Sequence, residues 1–234
     1  SLTGTVKIPR LPWNLSIAVE VNAMTYEQSI LLTGSQWTEL SEERKLEVLQ
    51  TIENHSAFES GRLSCPVVGK FLYTGTDGVV LGTYDPKNQV IYVNSSQFAS
   101  DTRYGKDSEA IVTACLHEGR HAYQHQVADG IVFHDDQAEA DAWKENLSEG
   151  NYISFRENPR AYYNQPVEVD ARRFAEDKYA EIVAERQSYD IESYSDHAPR
   201  DVFERQLSDE GTDEAQKVAS FQQTETDTNG ISIV

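Results

Sequence analysis

Apolar positions recur along this chain with two different periods, and the changes of period divide it. Between residues 41 and 61, Leu46, Val48, Leu49 and Ile52 mark one face of a helix, with Ser41-Glu42-Glu43-Arg44 as its start signal and Ser60-Gly61 as its stop. A weaker helix signal begins near Trp37, with Ser35 or Thr38 as the capping side chain. From 65 to 95 the pattern shortens to strands over 67–73, 79–84 and 89–94. Thr76-Asp77-Gly78 and Asp85-Pro86-Lys87-Asn88 are turn chemistry between them, so the expectation is an antiparallel meander. The helical period returns at Ala110-Ile111-Val112 and runs to about Val127, capped by Asp107-Ser108 and ended by Ala128-Asp129-Gly130. Further helices are predicted over about 136–147 and, opened by Pro166, from Val167 to about Gln187.

The ends read differently. Residues 1–35 form an N-terminal extension with strand-like runs at 6–8 and 16–21 around Pro9 and Pro12. Residues 191–234 form an acidic tail, poor in large apolar side chains, that is expected to be mobile apart from a short helix around 202–207. The body, 36–190, is α+β: a short antiparallel or mixed sheet packed on a buried helix, with more helices C-terminal to it.

Composition narrows the function classes. The net charge of −19 over 234 residues argues against nucleic acid and anionic membranes as partners. No apolar run approaches the length of a membrane span, so no membrane insertion is expected. The chain begins with Ser, which reads as a processed or trimmed piece, and nothing in it assigns a compartment. Cys65 and Cys115 read as packed thiols, without the spacing of a Cys metal site.

The chemistry sits in the 110–127 helix. His117-Glu118-Gly119-Arg120-His121 matches His-Glu-x-x-His. Positions four apart share a helix face about 6 Å apart along the axis, so both imidazoles can aim at one ion. Glu118, one step round, is placed to act as a general base on a metal-activated water. The helix is otherwise apolar, and burying two imidazoles and a carboxylate is costly unless something pairs with them. One zinc ion per chain would do so. The spacing alone is a zincin signature, with solvated surface His and Glu as the plain alternative.

Taken with Tyr162-x-x-Gln165-Pro166-Val167-Glu168-Val169-Asp170-Ala171-x-x-Phe174-Ala175, the motif makes the chain resemble small bacterial zincin-like metallopeptidase domains of the gluzincin type. Such domains recur in Gram-positive bacteria, in phage and mobile-element genes, and as C-terminal domains of polymorphic toxins. The resemblance spans roughly residues 40–185. It implies an active-site helix behind a short sheet whose edge strand pairs with an extended protein or peptide substrate, and it leaves room for an inhibitor or immunity partner. It implies no particular substrate. The metzincin pattern is excluded, because His125 comes too early to be its third histidine.

Four residues compete for the third protein ligand. His125 lies about 12 Å along a straight helix from His117, too far to share an ion with it. Glu139 has a plausible spacing from His121, but its helix is short and highly charged. Glu168 opens the helix after Pro166, inside the second motif, and is preferred; its plain role would be a surface pair with Arg172. Asp170 lies about 200° round that helix from Glu168, so only one of the two can face the ion. Tyr162, Tyr163 and Arg172 are candidates to stabilise an oxyanion, and Asp170 or Asp141 to orient a zinc histidine. The expected activity is zinc-dependent peptide hydrolysis. A catalytically weak peptide-binding or regulatory module, and an interaction domain with a structural zinc closed by His125 or His134, are the alternatives.

Overall fold

The computed structural model describes residues 31–73, 79–106 and 108–197, with side chains to 187. The strand-like runs of the N-terminal extension, the turn at 76–78, the cap at Asp107 and the tail beyond 197 fall outside these residues.

Among the described residues the fold is α+β: six α-helices and one three-stranded mixed sheet. Helix α1 (Gly34–Glu39) buries Trp37 completely. It starts earlier than the sequence pattern places it: Thr33 holds the N-cap position without a side-chain capping bond, and Thr38 turns its hydroxyl back onto the Gly34 carbonyl instead of capping. Helix α2 (Glu42–Glu59) begins where Ser41 Oγ accepts the Arg44 N–H and ends before Gly61, whose φ of 64° suits glycine.

The sheet corrects the meander. Strands β1 (Val67–Lys70), β2 (Gly82–Asp85) and β3 (Val90–Asn94) lie in the order β1-β3-β2. β2 pairs antiparallel with β3, through a turn in which Asp85 Oδ1 accepts the Lys87 and Asn88 amides. β1 pairs parallel with β3, Val67 opposite Ile91 and Lys70 opposite Asn94. The Asn94 side chain ties the crossover together, donating to the Leu72 and Val80 carbonyls and accepting from the Leu72 amide.

Helix α3 (Ser108–Ala128) lies between the sheet, α2 and the C-terminal helices. Ile111, Val112, Ala114, Cys115, Leu116 and Ala122 are at most 2% exposed and join Leu49, Ile52, Leu81, Ile91 and Val93 in one core. Leu32 packs into the same core. Inside it Glu53 and Arg62 form a bidentate ion pair, 2.6 Å on both arms, and Glu53 also accepts the Cys65 amide. The pair presses against Gly119: a Cβ there would sit 2.7 Å from Glu53 Oε2 and 2.8 Å from Arg62 Nη2.

Helix α4 (Gln137–Asn146), capped by Asp136, packs Trp143 against α3. A loop and the short α5 (Pro159–Tyr163) lead to α6 (Pro166–His197), which packs along α3 and runs ten residues past the predicted end at Gln187. No helix among the described residues is long and apolar enough to cross a membrane.

Candidate metal centre

The facing turns of α3 and α6 carry the site. His117 and His121 project from one face of α3, and Glu168, in the first turn of α6, is fully buried against them. The two Nε2 atoms are 3.0 Å apart; the Glu168 carboxylate lies 3.3 Å from His117 Nε2 and 3.4 Å from that of His121. Ligands held tetrahedrally at zinc-like bond lengths are separated by about 3.4 Å, so the three groups already stand at the spacing of a coordination shell. Glu168 Oε2 is buried without a hydrogen bond. An orphaned carboxylate oxygen beside two imidazole nitrogens fits a divalent cation that accepts nitrogen and oxygen ligands. These residues form a buried group that could hold a metal ion.

The network around the cluster fixes its polarity. His121 Nδ1 is 2.8 Å from Gln124 Oε1, and the Gln124 amide nitrogen donates to the Val167 carbonyl and to Asp170 Oδ2. Asp170 in turn receives a two-pronged bond from Arg120, whose guanidinium is enclosed by the rings of Tyr123, Trp143 and Phe174. Each step allows one orientation only. An ion-paired carboxylate and a carbonyl both accept, so the Gln124 NH2 must face them; its oxygen must then face His121. His121 therefore carries hydrogen on Nδ1 and offers Nε2 to an ion. On the other side, the Tyr152 hydroxyl donates to Glu168 Oε1 at 2.8 Å and leaves Oε2 free.

Charge is balanced inside the cluster. Burial disfavours an imidazolium at His121, but the hydrogen bond and charge of Glu168 outweigh it and raise its pKa to about 9. Burial likewise works against the Glu168 carboxylate, and the two imidazoles beside it outweigh that, holding it well below the usual carboxylate range. Burial first, then the charge of Glu168, pushes Tyr152 and Tyr162 far above a phenol's ordinary value, so both stay protonated donors.

Glu118, the next residue round α3, reaches toward β2. Its Oε2 accepts the Tyr84 N–H at 2.7 Å, and a Cβ on Gly82 would come within 2.9 Å of its Cγ. Edge strand β2 therefore runs directly over the carboxylate. Both border a cavity of about 450 Å³ shared with His121, Glu168, Tyr152, Phe155 and Tyr162.

The other sequence candidates fall elsewhere. Tyr163 and Arg172 line a second cavity with His117, away from Glu118. Asp170 reaches His121 only through Gln124. Glu139 is bonded to His134 and Arg173, outside the cluster, and Asp141 accepts a bond from Gln137. His125 packs against Tyr84, and His134 is shared by Tyr123 and Glu139. Glu168 makes no surface pair with Arg172. Sequence reasoning gave no role to Gln124 or Tyr152. Gln124 stands three residues after His121, one helical turn after Arg120, where a polar side chain on an apolar face was the available signal. Tyr152 had none; it is positioned by Gln165 of the second motif, which exchanges bonds with the Ile153 backbone.

Compared with known protein families, curated proteins and solved structures, the chain has no match.

Proposed function

We propose that the chain is a zincin-like, zinc-dependent peptidase of the glutamate-ligand kind, with His117, His121 and Glu168 as metal ligands and Glu118 as general base. The observation that carries this reading is the coordination-like spacing of the three ligand groups beside a separately anchored carboxylate. Zinc held by these three residues would supply a Lewis acid and lower the pKa of a water toward about 7.

The remaining work falls to side chains. Glu118, steadied by the Tyr84 amide, takes the proton of the attacking water and delivers it to the leaving amine. Tyr162, held protonated in the same cavity, donates to the carbonyl oxygen as it gains charge. Edge strand β2 offers main-chain pairing to an extended peptide, and the aromatic cavity takes a side chain. Protein or peptide substrates fit this arrangement.

A structural zinc needs a fourth protein ligand. Among the described residues the candidate group has three members, and His125 and His134 are engaged elsewhere. This favours an open, catalytic site. The test is metal content and cleavage of a broad peptide library. The parent should bind one zinc and hydrolyse, Glu118→Gln should keep the zinc and lose hydrolysis, and His117→Ala should lose both. Full zinc in His117→Ala, or undiminished cleavage by Glu118→Gln, contradicts the assignment.

A further inference from the structure

The second cavity, about 520 Å³, opens at His117 and is walled by Leu81, Tyr104, Thr113, Tyr163 and Arg172. Arg172 stands one helical turn, about 6 Å, beyond Glu168 on α6. Its guanidinium lies over the Tyr163 ring, 4.9 Å from the centroid, and its Nη2 donates to the Tyr163 carbonyl. Its Nη1 is buried and makes no hydrogen bond. Arg62 and Arg120, the other enclosed arginines near the site, hold Glu53 and Asp170; Arg172 has no ion-pair partner among the described residues. The acidic residues of this wall, Glu109 and Glu176, are both exposed. A planar, stacked guanidinium with an unspent donor is preorganised for a carboxylate. Because the chain carries a net charge of −19, long-range attraction of anions is poor. Selectivity must be made at contact, where screening is weakest.

We propose that this cavity is a carboxylate-recognition subsite in which Arg172 holds either the C-terminal carboxylate of a peptide or an acidic side chain, one helical turn from the metal ligands. The inference rests on the peptidase reading, because it takes the cavity to receive the substrate beside the bond presented to Glu118. The stacked Tyr163 ring sets the plane of the guanidinium, so Tyr163 positions Arg172 instead of stabilising an oxyanion.

The test uses peptide pairs that differ in one group: a free C-terminus against its amide, and Glu against Gln at positions flanking the candidate bond. Each is titrated calorimetrically into zinc-loaded Glu118→Gln protein, where binding is read without turnover. The carboxylate member of one pair is expected to bind about 10–100-fold tighter, and which pair does so names the source of the carboxylate. The preference should vanish in Arg172→Gln, with zinc content as the check on folding. If that variant fails to load zinc, Arg172→Lys replaces it and should lose most of the preference with the planar, stacked guanidinium. Equal binding within both pairs, or a preference that survives loss of the guanidinium, overturns the proposal. Carboxylate-dependent binding without cleavage by the parent leaves the subsite standing and overturns the peptidase reading; cleavage without any acid preference does the reverse.

Discussion

Replacing Gln124 with Met preserves the bulk of a fully buried side chain and removes both of its polar ends. Three hydrogen bonds disappear: from His121 Nδ1 to Oε1, and from the amide nitrogen to the Val167 carbonyl and to Asp170. Asp170 keeps Arg120 and the Val167 carbonyl keeps its place in the helical ladder of α6, so the group left stranded is His121 Nδ1. A buried polar group without a partner costs about 1–3 kcal/mol, which sets the loss of metal-free stability. The effect on the metal is separable, because the variant also frees His121 to turn its ring and to carry hydrogen on either nitrogen. Loss of an orienting partner weakens metal binding about 10–100-fold, equivalent to ~1.4–2.8 kcal/mol. Competition against a chromophoric chelator measures this at fixed pH, and thermal melts with and without zinc measure the stability. In zinc affinity Asp170→Asn should cost less, and adding it to Gln124→Met should cost little more, because the relay is already cut at His121. A folded Gln124→Met protein that binds zinc as tightly as the parent refutes the relay, and so does strict additivity in the double variant.

Two further outcomes follow from the same cluster. His121 titrates at about 9 in the metal-free protein, against about 6.5 for an unperturbed imidazole. Because the folded value is the higher one, the bond to Glu168 stabilises the fold fully below about pH 6.5 and is lost as pH rises through 9. The metal-free melting temperature should therefore fall between pH 7 and 9. Zinc must displace the same proton, so it should bind about tenfold tighter per pH unit over that interval; a flat profile contradicts the assignment. Tyr152→Phe removes the hydroxyl that holds Glu168 Oε1 and should weaken zinc about tenfold in the chelator assay, with an unchanged affinity as the refuting result.

What the sequence made legible was what repeats along the chain. The period of Leu46 to Ile52, the start signal at Ser41 and the opening Pro166 each act within a few residues, and α2 and α6 begin where those signals stand. The alternation of β1, β2 and β3 was readable, but alternation does not say which strand is neighbour to which. The parallel contact of β1 with β3 depends on Asn94 holding a crossover 22 residues away from Leu72. The spacing of His117 and His121 is set by one helix and could be read directly. Glu168 comes from another helix, so its place against them needed the packing of α6 along α3. Gln124 and Tyr152 were invisible as functional residues because each acts on a ligand through a single bond formed across the fold. The end of α6 was set ten residues too early because its later turns lack an apolar stripe, and helix periodicity was the only signal in use there.

Gly119 and Arg120 are the blanks of the motif when it is written as a search pattern. In this fold neither is blank. Position 119 is spoken for by the Glu53–Arg62 pair, which occupies the space a side chain would need. Position 120 carries the guanidinium that fixes Asp170, and through Gln124 the ring of His121. The five residues from 117 to 121 thus behave as one uninterrupted word, three letters spelling chemistry and two spelling the scaffold that receives it. A designer grafting only the two histidines and the glutamate onto another helix would transfer the vocabulary of the site without its grammar.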